Sequence, residues 1–155
     1  MARIGADGQD YAATWSLGTQ ANLTVCAWVK IVTDRNDYST IFSVDNGTGD
    51  NWLMQTGADG TTMAFVGDAT TQQNIGSLTV GTWYFICLAT AGTSGTIYYR
   101  TAATQTMSTT AVTGVTASVN AVNFRIGDSP WGAEWWNGCI NAVKSWTAQL
   151  SAAEV

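Results

Sequence analysis

The chain has 155 residues and a net charge of -5, with 46% apolar and only 11% charged side chains. That length fits one domain, residues 1–155, around a single core, and the sparse charge leaves a surface of neutral polar groups. The six basic residues form no cluster in sequence, which argues against nucleic acid or an anionic membrane, and no apolar run approaches the roughly 20 residues needed to span a bilayer.

Residues 1–14, MARIGADGQDYAAT, carry one arginine with no apolar stretch behind it, so they do not read as a secretory signal. A protein starting this way has either lost a signal or leaves its cell by another path. LTVCAWVKI (23–31) alternates, placing Leu23, Val25, Ala27 and Val29 on a core face and Thr24, Cys26, Trp28 and Lys30 on the other. IFSV (41–44), NWLMQ (51–55), TTMAFVG (61–67), TWYFICLAT (82–90), GTIYYRT (95–101) and VNFRIG (122–127) are further β-branched or aromatic strands. Turn chemistry separates them at Asn46-Gly47, Asp59-Gly60 and the Gly92–Gly95 loop. The Thr/Ala/Val-rich stretch 101–122 predicts one or two thin strands. Near the end, Ser151 and Glu154 form a capping box for one short helical turn, which must lean on the sheet or on a partner. The pattern predicts an all-β, two-sheet antiparallel sandwich or jelly roll. Cys26, Cys87 and Cys139 lie far apart in apolar segments and are expected as three buried free thiols.

Five ordered segments then resemble a family. LTVCAWVKI, IFSV, LTVGTWYFICLAT, GTIYYR and VNFRIGDSPWGAEWWNGCINAVKSWTAQLSAAEV, with ADGQDY (6–11) ahead of them, are similar to the laminin-G-like, concanavalin-A-like jelly-roll domains. The resemblance implies two packed antiparallel sheets of about six or seven strands each. It places Trp28, Trp83, Trp136 and Trp146 at the family's aromatic positions, where they are expected as packing groups. It also puts Ile140 and Val143 inward although they are three residues apart, so a β-bulge around Asn141-Ala142 is expected. The family's acidic pair after the isoleucine is Asn141-Ala142 here, so any charge carried by that pair is lost.

Candidate contacts lie in the loop DSPWGAEWW, where Asp128, Trp131, Glu134 and Trp135 offer an acidic rim and two indoles to a glycan or a protein partner. VDNGTGDN (44–51) offers Asp45, Asn46 and Asp50 as oxygen ligands for calcium, though Asx residues in a glycine-rich loop are more often turn formers. No other cofactor is expected. Catalysis is not expected: Glu134 and Glu154 are the only glutamates, histidine is absent, and the paired acids of a glycosidase strand are missing. The expected function is recognition or scaffolding. The preferred reading is a surface-displayed virion component, a phage capsid-decoration or tail protein that packs on partner subunits or on copies of itself and touches glycans. The alternative is a carbohydrate-binding or adhesion module of a larger secreted bacterial protein. Either places the chain on a virion surface or outside the cell.

Overall fold

The computed structural model describes residues 17–46, 51–67, 72–115, 119–121, 123–129 and 134–155. Among these residues the chain is all strand and turn: β1 (Gly18–Gln20), β2 (Asn22–Ile31), β3 (Ser39–Asp45), β4 (Asn51–Thr56), β5 (Thr62–Val66), β6 (Gln72–Ser77), β7 (Tyr84–Ala91), β8 (Ser94–Thr101), β9 (Ser108–Thr113), β10 (Val119–Ala121), β11 (Asn123–Ile126) and β12 (Gly138–Trp146). They form two five-stranded antiparallel sheets, β12-β2-β7-β8-β9 and β11-β3-β4-β5-β6, with a two-stranded ribbon β1-β10. The sandwich is as expected, with five strands per sheet where the resemblance implied six or seven. β6, reading QQNIGS with one aliphatic residue, is an edge strand that hydrophobic alternation does not reveal.

Period-two alternation builds the core. Leu23, Val25, Ala27, Val29 and Ile31 of β2 point inward and are at most 5% exposed. Ile86 and Leu88 of β7 and Ile97 of β8 join them, facing Phe42, Val44, Trp52, Met54, Met63 and Phe65 of the opposite sheet. Trp136 is fully buried in this cluster, as expected. Phe124 is buried beside it and stacks on Phe42 with ring centroids 6.5 Å apart.

The second sheet is withdrawn from solvent on its outer face as well. Ser43, Asp45, Leu53, Gln55 and Ala64 alternate with core residues, yet none is more than 4% exposed. Burying Asp45 requires compensation: its Oδ1 accepts from Asn123 Nδ2 at 2.9 Å, and its Oδ2 meets Arg125 Nε at 3.2 Å. The expected bulge is present in β12. Asn141 opposes Trp28, the register then jumps to Lys144 opposite Cys26, and Ala142 takes up a φ of 51°. The bulge keeps Ile140 buried and lets Val143 pack on the core.

The cysteine expectation is corrected. Cys26 and Cys87 are register partners on adjacent strands and form a disulfide, leaving Cys139 as the free, half-buried thiol. Their separation of 61 residues hid a contact that antiparallel pairing of β2 with β7 makes direct.

Candidate recognition face

Because β2 and β7 are central, their outward residues meet side by side with neighbours on both flanks. One cross-strand rung runs Asn141, Trp28, Phe85, Arg100 across β12, β2, β7 and β8. The next runs Lys144, Cys26, Cys87, Tyr98. Opposed residues on one face sit within about 5.5 Å at Cβ, so each rung is a line of contacts. Trp28 and Phe85 pack edge to face with centroids 5.6 Å apart. Beneath them Cys26, Cys87, Ala89 and Tyr98 form a second apolar cluster, separate from the sandwich core.

Cations decorate these rings. The Arg100 guanidinium lies 5.2 Å from the Trp28 ring centroid and 6.0 Å from that of Phe85, and Lys30 Nζ lies 5.2 Å from that of Trp83. Such stacking orders a charged group over a flat apolar surface. Arg100 is further fixed by donating from Nη1 to the Thr104 carbonyl at 2.9 Å.

Two shallow grooves open here, at the lower end of small-ligand sites. The first, of about 290 Å³, is lined by Trp28, Trp83 and Asn141. The second, of about 270 Å³, has Trp28, Phe85 and Trp146 as aromatic walls and Lys144 at its side, with Ala142 of the bulge and Glu154 and Val155 of the terminus completing it. Trp28 is therefore the wall common to both. The terminus is tied in place: Thr24 Oγ1 donates to the Ala148 carbonyl at 2.7 Å and accepts from Leu150 N at 2.9 Å. The Glu154 carboxylate then accepts from Ser151 N and Oγ, which holds its carboxyl below the ordinary carboxylate range, and Val155 packs on the second cluster. The capping contact forms as a turn leaning on the sheet.

Three of the four tryptophans expected as packing groups stand on this face. Trp28 and Trp83 are half-buried on the outside of the sheet, and Trp146 is 37% exposed, so none belongs to the sandwich core. The signal was present in the sequence: LTVCAWVKI carries large apolar groups on both faces, and so does its partner YFICLAT.

The loop candidates are placed differently. Trp131 and Asp50 lie outside the described residues. Trp135 is half-buried, with the Arg35 guanidinium 4.8 Å from its ring centroid and Arg35 Nη1 donating to its carbonyl at 3.3 Å. Asp128 is buried, its Oδ2 3.4 Å from Arg125 Nη1 and its Oδ1 accepting from Ser129 N. Glu134 is half-buried, and desolvation pushes its carboxyl above the ordinary range; a Ser129 hydrogen bond opposes the shift, and the charges of Asp37 and Asp128 add to it. Asn46 is half-buried beside Asp45, whose two oxygens engage Asn123 and Arg125. No group of three or more potential His, Cys, Asp or Glu metal ligands occurs among the described residues.

The family model of the concanavalin A-like lectin/glucanases superfamily matches residues 6–155. No curated protein matches the sequence. Among solved structures, a Bacteroides ovatus ATCC 8483 protein provisionally described as carbohydrate-binding aligns with a TM-score of 0.62 at 13% identity, over 92% of this chain and 42% of that one. Trypanosoma rangeli sialidase aligns with a TM-score of 0.63 at 19% identity, over 86% of this chain and 21% of the sialidase. The enzymatically active domain of tailspike protein 2 from bacteriophage CBA120 aligns with a TM-score of 0.65 at 15% identity, over 90% of this chain and 24% of that one. The chain thus spans less than half the length of each of these neighbours, and the likeness is one of fold. On the family match and the two-sheet sandwich together, this chain belongs to the concanavalin A-like lectin/glucanase superfamily.

Proposed function

We propose that the domain is a non-catalytic recognition module that binds a glycan on the outer face of the β12-β2-β7-β8-β9 sheet. The observation that carries this reading is the rung Asn141–Trp28–Phe85–Arg100, which sets indole, phenyl and amide groups along grooves open to solvent, with the Arg100 guanidinium over the two rings. The outward side chains of the central strands of the other sheet are buried, so this face is the one offered to a ligand among the described residues. An indole covers the apolar side of a sugar ring, and the amide reaches its polar rim.

No hydrolytic role is assigned. Asp45 and Asp128 both engage Arg125, and Glu154, the acidic side chain lining the grooves among the described residues, is held by Ser151 with no second acid beside it among them, whereas glycoside hydrolysis uses two carboxylates across the bond. The disulfide favours an oxidising setting, the virion surface or the cell exterior. As a phage capsid-decoration or tail component, the domain would pack on partner subunits through other surfaces, with β9 (STTAVT) as an uncharged edge strand. As an adhesion module of a larger secreted protein, it would present the same face. Calcium at Asp45, Asn46 and Asp50 has no part in the proposed binding.

Retention on a glycan array tests the reading. The monomeric domain is expected to bind, to lose binding with Trp28→Ala or Trp83→Ala, and to keep it in chelator. Loss only with Trp131→Ala or Trp135→Ala would move the site to the loop. No retention, with self-assembly detected by light scattering, would instead favour a packing role.

A further inference from the structure

The basic residues are few and unevenly placed. The chain has six against eleven acids, yet three of the six, Lys30, Arg100 and Lys144, stand on the outer face of the β12-β2-β7-β8-β9 sheet. Of the others, Arg125 is spent on Asp45 and Asp128, Arg35 lies over Trp135, and Arg3 is outside the described residues. None of the three on the face forms an ion pair among the described residues. Each borders an aromatic wall: Lys30 lies over Trp83, Arg100 over Trp28 and Phe85, and Lys144 lines the groove shared by Trp28, Phe85 and Trp146. Among the described residues Glu154 is the acidic side chain lining the grooves, and its carboxylate is already bonded to Ser151.

We infer that the ligand class of this face is an acidic saccharide, a sugar ring bearing a carboxylate or sulfate. The inference rests on the glycan-binding reading above and adds charge selection to it. In a molecule that repels anions on the whole, cations kept beside flat apolar walls with no ion pair among the described residues match a ligand with a ring to stack and an anion at its edge. A neutral sugar would use the walls and leave the cations without a partner. A polyanion without rings would use the cations and leave the walls bare. The cations are also pre-positioned, since stacking on the indoles restricts them before ligand arrives, and less order is lost on binding.

The test is an array of neutral, carboxylated and sulfated oligosaccharides, followed by calorimetric titration with trigalacturonate, its fully methyl-esterified form and polyglutamate. The esterified trimer keeps the rings and removes the charge, and polyglutamate keeps the charge and removes the rings. Acidic glycans should be retained in preference to neutral ones, and trigalacturonate should bind about tenfold or more tightly than either control at low salt. That preference should shrink as salt shortens the screening length from about 10 Å at 0.1 M. Lys144→Gln, at an exposed position, should weaken trigalacturonate severalfold more than it weakens the ester, with the melting temperature checking that the fold persists; Lys30→Gln should do the same. Equal binding of acid and ester, or retention of neutral glycans alone, overturns charge selection while the glycan reading stands. Polyglutamate binding as well as trigalacturonate overturns the saccharide part. Retention of no glycan overturns both.

Discussion

Glu134 sits in an environment that favours its protonated form, since burial raises its carboxyl and Asp37 and Asp128 add to the rise. The sign for stability follows from proton linkage. A carboxyl raised in the folded state binds its proton more tightly there than in the unfolded chain, so stability falls as pH climbs from the ordinary value of 4.5 through the raised one. Glu134→Gln should therefore raise the melting temperature at pH 7, and the gain should fade toward pH 4; a difference constant from pH 4 to pH 7 would contradict this. Gly138 is constrained by space. A Cβ there would lie 2.0 Å from the Lys30 carbonyl oxygen and 2.8 Å from Trp136 Nε1, so Gly138→Ala must push a neighbouring strand or the core indole aside. Urea unfolding should register a loss of about 1–3 kcal/mol, the usual cost of overpacking. Arg125→Ala should cost about 3 kcal/mol or more, because it removes the cation that faces the buried Asp45 carboxylate.

Among the elements, the pair β2 and β7 carries both the core and the face proposed for recognition, and its outward register partners Cys26 and Cys87 form a disulfide. Closing a loop of this length constrains the unfolded chain, and breaking it should cost about 2–4 kcal/mol. Alkylation of the denatured protein checks the pairing directly: one adduct, at Cys139, without reductant and three with it. Three adducts without reductant would restore the expectation of free thiols. Most of the strands were legible as β-branched or aromatic runs bounded by turn residues, and β2 by its alternation as well. The Asn141-Ala142 bulge was legible too, since Ile140 and Val143 could not both face inward without it. β6 and β1 were not, because a short polar strand at an edge or in a ribbon carries no periodic apolar signal. Pairing of Cys26 with Cys87 needed the register of two strands 61 residues apart, which no local pattern contains.

At the scale of the molecule, the sandwich leaves one sheet face open among the described residues, and that face gathers aromatic rings and unpaired cations on a chain that is acidic as a whole. The candidate site was only half legible. Alternation put Trp28 and Lys30 on the outward side of β2, but the tryptophans of that side were expected to pack, because a buried indole and one lining an open groove look alike in sequence. The attraction of the DSPWGAEWW loop came from local tryptophan density, whereas the groove is assembled from β2, β12, the β7 flank and the terminus, residues up to 129 positions apart. The central claim is that recognition occurs on this sheet face. It is tested most directly by following the indole N–H signals of the eight tryptophans by NMR during titration with an acidic oligosaccharide retained on the array. The account predicts that Trp28, Trp83 and Trp146 shift while Trp52 and Trp136, both fully buried, stay in place. Shifts confined to Trp131 and Trp135 would contradict it.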